Sequence, residues 1–324
     1  MMAFVVLAAS IAALFGASVA IGDEPIAIAE IARVLLGEGD PVASFIVEEV
    51  RLPRAILAVL VGAALGTGGA IAQAVMRNPL AEPGILGING GAALAALIVI
   101  VEIESPPARL LPLAAFAGAL ITAAAIYALA WNDGTSSLRI ILVGLGLNAL
   151  AGAGVGFISA FGDVTTVQQA QVWLAGSLYR ADWETVRVLA VWLVLPVVGV
   201  LLAARELDVL TLGADAARAL GQRVEPTSAA MILAMALISA AAVAAAGLIG
   251  FVGLIAPHLA RRIGGRRSRH VLPLAALSGA ALVLAADLVG RLALSPANLP
   301  AGIVTTLIGA PFFALLLWRR RDAV

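Results

Sequence analysis

The chain contains no cysteine and no lysine. Without cysteine it has no disulfides, no thiolate metal site and no cysteine nucleophile. Without lysine it lacks a phosphate-loop lysine, a Schiff-base lysine and a lysine general base. Charge is scarce too: 12% of the 324 residues are charged, and 20 basic residues, all arginine, balance 20 acidic ones. An ordinary soluble domain is about a quarter charged and about half apolar. Here 62% of residues are in the AVILMFWYC set, which excludes that class. The two histidines, His258 and His270, have no companions at ligand spacing, so neither a metal site nor a cofactor is expected.

Long apolar runs are what the sequence has in abundance. A helix crossing a hydrocarbon core of about 30 Å needs roughly 20 mostly apolar residues. Ten segments meet or approach that length: about 2–21, 55–76, 84–101, 110–131, 139–160, 184–203, 227–246, 248–261, 271–292 and 301–318. The eighth is short and carries Gly250, Gly253 and Pro257, the marks of a broken or half-buried helix. The first lacks the basic start and small-residue cleavage pattern of a signal peptide and reads as a retained helix. The fold expected is all-α, a single transmembrane domain over 1–324 with about ten spanning helices.

Arginine-rich connections stay on the cytoplasmic side. With the N-terminus inside, that side holds Arg77, Arg139, Arg205, Arg218, Arg223, Arg261, Arg262, Arg266, Arg267, Arg269, Arg319, Arg320 and Arg321, against the seven acids Glu82, Asp133, Glu206, Asp208, Asp215, Glu225 and Asp322. The other side keeps Arg33, Arg51, Arg54, Arg109, Arg180, Arg187 and Arg291 against the remaining 13 acids. Zero net charge therefore divides into a balance of +6 inside and −6 outside, with both termini cytoplasmic.

Three connections carry pattern of their own. Residues 22–50 begin with Asp23, Glu24 and Pro25, then place Ile28, Ile31, Val34 and Leu35 at helical spacing, which predicts a short surface helix. Residues 161–183 mix Thr165, Thr166 and three glutamines with Trp173 and Trp183, suited to anchoring at a membrane interface. Residues 204–226 read as two short helices joined by Gly213 and closed by Gly221, either a cap on the bundle or a docking surface. Gly62 with Gly66, and Gly152 with Gly156, have the spacing that lets helices approach closely, and packing within one subunit is the simpler reading. Asn78-Pro79 and Pro83-Gly84 mark a rigid turn between two helices.

Three ordered stretches resemble the signatures of the FecCD-type permeases, the membrane subunits of ABC importers for ferric siderophores, haem and vitamin B12. The first is Arg51-Leu-Pro-Arg54, then Gly62-Ala-Ala-Leu-Gly66, Gln73 and Arg77-Asn-Pro-Leu-Ala-Glu-Pro-Gly-Ile-Leu-Gly87. The second is Gly250-Phe-Val-Gly-Leu-Ile-Ala-Pro-His-Leu-Ala-Arg261. The third is Ala286-Asp-Leu-Val-Gly-Arg291 with Leu299-Pro-Ala-Gly-Ile-Val-Thr-Thr-Leu-Ile-Gly-Ala-Pro311. The resemblance covers about 45–318 and implies the vitamin B12-importer-type (type II) ABC permease fold.

That resemblance also implies roles. Arg51, Arg54 and Arg291 match arginines that receive glutamates of a periplasmic or lipid-anchored binding protein; the local alternative is that Asp287, one turn before Arg291, neutralises it. Residues 204–226 match the coupling helices that seat in an ATPase, with Leu212, Gly213, Ala217 and Leu220 as contacts. The fifth and tenth segments of two permease subunits would line a channel, offering Asn148, Ser159, Thr305 and Thr306, with Ser136 and Ser137 where a cytoplasmic gate would be. Interhelical hydrogen bonding accounts for these polar positions almost as well.

The expected partners are a second permease copy or sister subunit, two ATP-binding cassette subunits, a substrate-binding protein and membrane lipid, with no nucleic acid. Lacking lysine, the chain has no Walker A motif, so it is not the ATPase. An ion-coupled secondary transporter would bury ionisable residues near mid-membrane, and the apolar runs are almost free of them. An intramembrane enzyme would need a catalytic set that is not found. Within the family, Trp173-Leu-Ala-Gly-Ser-Leu178 with Trp183 resembles the ferric-siderophore members.

Overall fold

The computed structural model describes residues 2–22, 24–84, 86–132, 134, 136–293 and 298–319. Asp23, Asp133, Arg320, Arg321 and Asp322 of the charge count lie outside the described residues. Among those described, every regular element is helical. Ten apolar helices stand where the ten runs predict: α1 (Met2–Ala20), α4 (Leu52–Val75), α5 (Ile88–Glu102), α6 (Leu110–Ala130), α7 (Ser137–Phe161), α9 (Trp183–Leu202), α12 (Val224–Ala246), α13 (Val252–Gly264), α14 (Ser268–Ala293) and α15 (Ala301–Arg319). Between them lie α2 (Ile28–Leu35), α3 (Pro41–Phe45), α8 (Val164–Leu174), α10 (Ala204–Leu210) and α11 (Ala214–Ala219).

Among the described residues, six stretches are long and apolar enough to cross a membrane, while the apolar parts of α1, α5 and α15 are shorter. The longest, Pro41–Val75, joins α3 and α4 through a π-helical stretch at Ile46–Arg51. At 1.5 Å per residue, α5 and α13 reach only about 22 and 20 Å, too short for a full crossing. Both start inside the bundle. Gly87, left-handed at φ 97°, packs on the Gly144 backbone of α7, and Gly253 packs on Gly69 in the second half of α4. The eighth segment is helical only from Val252 onward, after the run begins, and its helix continues unbroken through Gly253 and Pro257.

Helix α4 is the central post, buried over most of its length. Gly62 and Gly66 press against the backbone of α14 at Gly279 and Ala275, where a Cβ has no room. Such small-residue seams gain dispersion contact without needing water to be expelled. The second glycine pair behaves differently from the sequence expectation. Gly152 and Gly156 have nothing within 4 Å, so they do not pack within this subunit. They belong to a face of α7 that also exposes Leu142, Leu145 and Phe157.

The surface helix expected in 22–50 is α2, with Ile31 and Val34 buried. Helix α8 was hidden in a polar stretch; Asp163 starts it by accepting from the Thr165 and Thr166 N–H groups at 2.9 and 3.3 Å. Hydrogen bonding, chiefly from the Thr165 side chain, holds that carboxyl below the usual carboxylate range.

Candidate functional site

Three regions collect the residues singled out by the sequence. The first is the end of the bundle where α1 and α14 finish and α4 begins, rich in acids by sequence. Here Arg51, Arg54 and Arg291 come together, all buried. Arg54 donates from Nε to both Asp287 oxygens at 3.1 Å and from Nη2 to Oδ1 at 2.9 Å. Arg291 reaches the same carboxylate, Nε to Oδ2, at 3.3 Å.

The remaining guanidinium donors close the end of α1. Arg51 donates through Nη1 to the carbonyls of Val19 and Ala20 at 2.9 Å and through Nη2 to that of Glu24. Arg291 donates to Ser18 O and Ile21 O at 3.2 Å and to Ser18 Oγ at 2.7 Å. The last carbonyls of a helix have no intrahelical partner and carry partial negative charge, so two arginines there satisfy both needs. Arg291 thus makes the Asp287 pair of the local alternative, and Arg54 shares it. Tyr179, exposed, lies over Arg54 with the cation 5.9 Å from the ring centre, and exposed Arg180 follows it. Nearby, the Trp183 indole N–H donates to Glu48 O at 2.9 Å, tying α9 to the base of α4.

The second region is the opposite, arginine-rich end. Helices α10 and α11 form the predicted pair, hinged at Gly213 (φ 104°) and closed by Gly221 (φ 83°). Asp208 accepts from Ser268 N at 2.7 Å, fastening α10 to the start of α14. Arg218 pairs with Asp215 at 3.1 Å and Glu225 at 2.6 Å. Of the four expected contacts, Leu212 and Leu220 point outward, 62% and 66% exposed. Ala217 is fully buried, and Gly213 lies beneath Arg77, whose Nη1 is 3.0 Å from where a Cβ would stand. The pair is held from within by Ala217, Leu207 and Leu210, leaving the two leucines as its free apolar surface.

The third region is the pair α7 and α15, which pack on different neighbours, α7 on α5 and α6, α15 on α14 and α13. Asn148 sits beside Gly87 and Gly90 at the start of α5. The Ser159 hydroxyl is buried. Thr305 and Thr306 both donate to Gly302 O, at 3.1 and 2.7 Å, which satisfies their hydroxyls inside the helix. Thr305 is buried, whereas Thr306 is exposed. Ser136 caps α7, accepting from Arg139 N at 3.2 Å, with Ser137 opening the helix.

One residue the sequence reading placed on the arginine-rich surface lies elsewhere. Glu82 lines a small pocket with Leu65, Asn89, Ser239 and Ile249, and its carboxyl lies beside Gly253 in the first turn of α13. The clue available was its setting, an acid between Ala81 and Pro83 directly before the apolar run that becomes α5.

The FecCD transport family model matches residues 10–319. The iron(3+)-hydroxamate import permease of Bacillus subtilis is 40% identical over 316 residues, covering 95% of this chain and 94% of its own. The hemin transport permease of Yersinia pestis is 43% identical over 280 residues, covering 84% and 83%. A solved metal-chelate type ABC transporter in an inward-facing conformation superposes with a TM-score of 0.89 at 31% identity, covering 98% of this chain and 99% of that one. The family match runs from the middle of α1 to the end of α15: the chain belongs to the FecCD transport family, multi-pass permeases of ABC importers that carry no catalytic machinery of their own.

Proposed function

We propose that this protein is the permease of a binding-protein-dependent importer that moves an iron chelate, a ferric siderophore, across the cytoplasmic (inner) membrane. The observation that carries this reading is the near-complete superposition on a metal-chelate type transporter. The substrate class rests on the Trp173–Leu178 run with Trp183. Relatives for an iron hydroxamate and for hemin are about equally identical, so overall identity does not choose between them.

In this reading the binding protein docks on the acidic end, over Tyr179 and the arginine cluster. The ATPases engage α10 and α11 through Leu212 and Leu220, and both termini lie in the cytoplasm. A second permease subunit, a further copy or a sister chain, covers the bare faces of α7, where Leu145 and Phe157 are exposed with the open Gly152 and Gly156, and of α15, where Ile303 and Leu307 are exposed. Asn148, Ser159, Thr305 and Thr306 would then border the passage between subunits, with Ser136 and Ser137 at its inner mouth.

The test is uptake into proteoliposomes. Transport that requires added ATPase, ATP and binding protein is the expected result; gradient-driven uptake by the chain alone would overturn it. The chelate retained by the cognate binding protein identifies the cargo.

A further inference from the structure

We propose that Trp183 is a positioning residue: its indole N–H stands in for the backbone N–H that Pro53 lacks, and so holds residues 46–51 in the π-helical register that aims the outer arm of the chain. The proposal concerns the chain alone and does not depend on the importer reading.

Hydrogen bonding around Glu48 carries it. In an α-helix each N–H donates four residues back, so the Leu52 N–H would serve the Glu48 carbonyl. It donates instead to Val47 O, five residues back, as in a π-helix. The π ladder cannot take its next step, because the donor for Glu48 O would be Pro53, which has no N–H. Both registers thus pass Glu48 O over, and Trp183 Nε1 donates to it at 2.9 Å. The indole gains as well: its ring is half-buried against the core, where a tryptophan N–H calls for a partner.

Packing shows what the π register achieves. Ala43, Val47, Arg51 and Ala55 are all buried, one every four residues. Ala55 stands twelve residues after Ala43, and at about 100° per residue a continuous α-helix would set the two about 120° apart around the axis. One residue absorbed in the π turn reduces that to about 20°, so the four share one face. Without it, α3 would turn by about 100°, and Ser44 would take the place of Ala43 against the core. Helix α2 packs on α3 and would follow. The same register leaves Glu48 and Glu49 exposed, with Glu49, Trp183 and Arg187 lining one groove at the acidic end.

Cysteine labelling of the chain in lipid nanodiscs reads the register, since there is no native cysteine to interfere. With Trp183 intact, Ala43→Cys should react slowly with a water-soluble maleimide and Val42→Cys fast. Trp183→Phe keeps an aromatic ring and removes the N–H. In that background labelling at 43 should rise about fivefold, the change expected from loss of one hydrogen bond, while Ser44→Cys does not speed up. Simple loosening of the arm would raise 43 and 44 together. Parent-like rates at 43, or an equal rise at 44, overturns the proposal.

Pro53→Ala supplies the rescue. Added to Trp183→Phe, it should return labelling at 43 toward the parent rate, because the restored backbone N–H then serves Glu48 O in the π register. If Trp183→Phe alone does not assemble, the double variant should recover the monodisperse peak in size-exclusion chromatography. A double variant no better than Trp183→Phe alone overturns the role assigned to Pro53 and, with it, the proposal. No ATPase or binding protein enters these measurements, so a failure of ATP-dependent uptake bears on the importer reading alone.

Discussion

Arg54 and Asp287, 233 positions apart in sequence, meet in a two-pronged contact that leaves the carboxylate side chain 2% exposed. Arg291 shares the same carboxylate, so one acid bridges two guanidiniums from two helices. This pins the first turn of α4 to the last turns of α14, and the glycine seam continues the contact toward the other end. Charge and packing act on the same pair of helices.

Removing one member of such a cluster strands the others. Asp287→Ala leaves two buried cations without their anion and should destabilise the protein by about 3–5 kcal/mol. Arg54→Leu should cost somewhat less, since Arg291 still faces the acid. Because the two groups act together, Arg54→Leu with Asp287→Ala should cost clearly less than the sum of the singles, by about 1 kcal/mol or more. Thermal unfolding in a single detergent across this cycle is the measurement.

Burial also separates two kinds of arginine at this end. Arg54→Glu would face Asp287 directly and should prevent assembly of the folded permease, seen as aggregation in size-exclusion chromatography. Arg180→Glu alters only an exposed residue next to Tyr179. It should leave folding and basal ATPase activity of the complex unchanged while lowering stimulation by the binding protein several-fold. Equal stimulation in Arg180→Glu and parent would remove this surface from the docking site.

Much of this arrangement was legible from apolar run length. The ten helices stand where ten runs were counted, because a membrane span is a one-dimensional demand on composition. The short α13 was legible in its short run, although Gly253 and Pro257 lie inside an unbroken helix. Positions that depend on three-dimensional neighbours were not legible. Nothing in the spacing of Gly152 and Gly156 distinguishes them from Gly62 and Gly66, yet one pair meets a helix and the other meets open space. Glu82 looked like surface charge because the sequence does not reveal that its connection turns inward. Ala217 and Leu212 both fit an amphipathic helix pair, and only the packing shows which of them faces out.

The two glycine pairs give a sharp contrast. Gly62→Leu would drive a side chain into the Gly279 backbone and should abolish folding, with loss of the monodisperse peak. Gly156→Leu enters open space, so the single subunit should keep its melting temperature within the scatter expected for a surface change of about 0.5 kcal/mol. What Gly156→Leu should lose is pairing of permease subunits, visible as a shift from dimer to monomer in native mass spectrometry. An unchanged dimer would place the second subunit on another face.

At the arginine-rich end, the exposed and buried members of α10–α11 should separate function from stability. Leu212→Asp and Leu220→Asp change residues that touch little within the chain, so unfolding should be unaffected. Binding of the ATPase subunits should weaken by about tenfold or more, since burying an apolar leucine contributes about 1.5–3 kcal/mol and a carboxylate in its place must be desolvated. Ala217→Leu inverts the pattern. With no space beneath α11, the added volume should cost about 1–3 kcal/mol by overpacking and shift α11 against α10 and α12. Pull-down of the ATPase, read beside thermal unfolding, distinguishes the outcomes: variants at 212 and 220 lose partner at full stability, whereas the variant at 217 loses stability first.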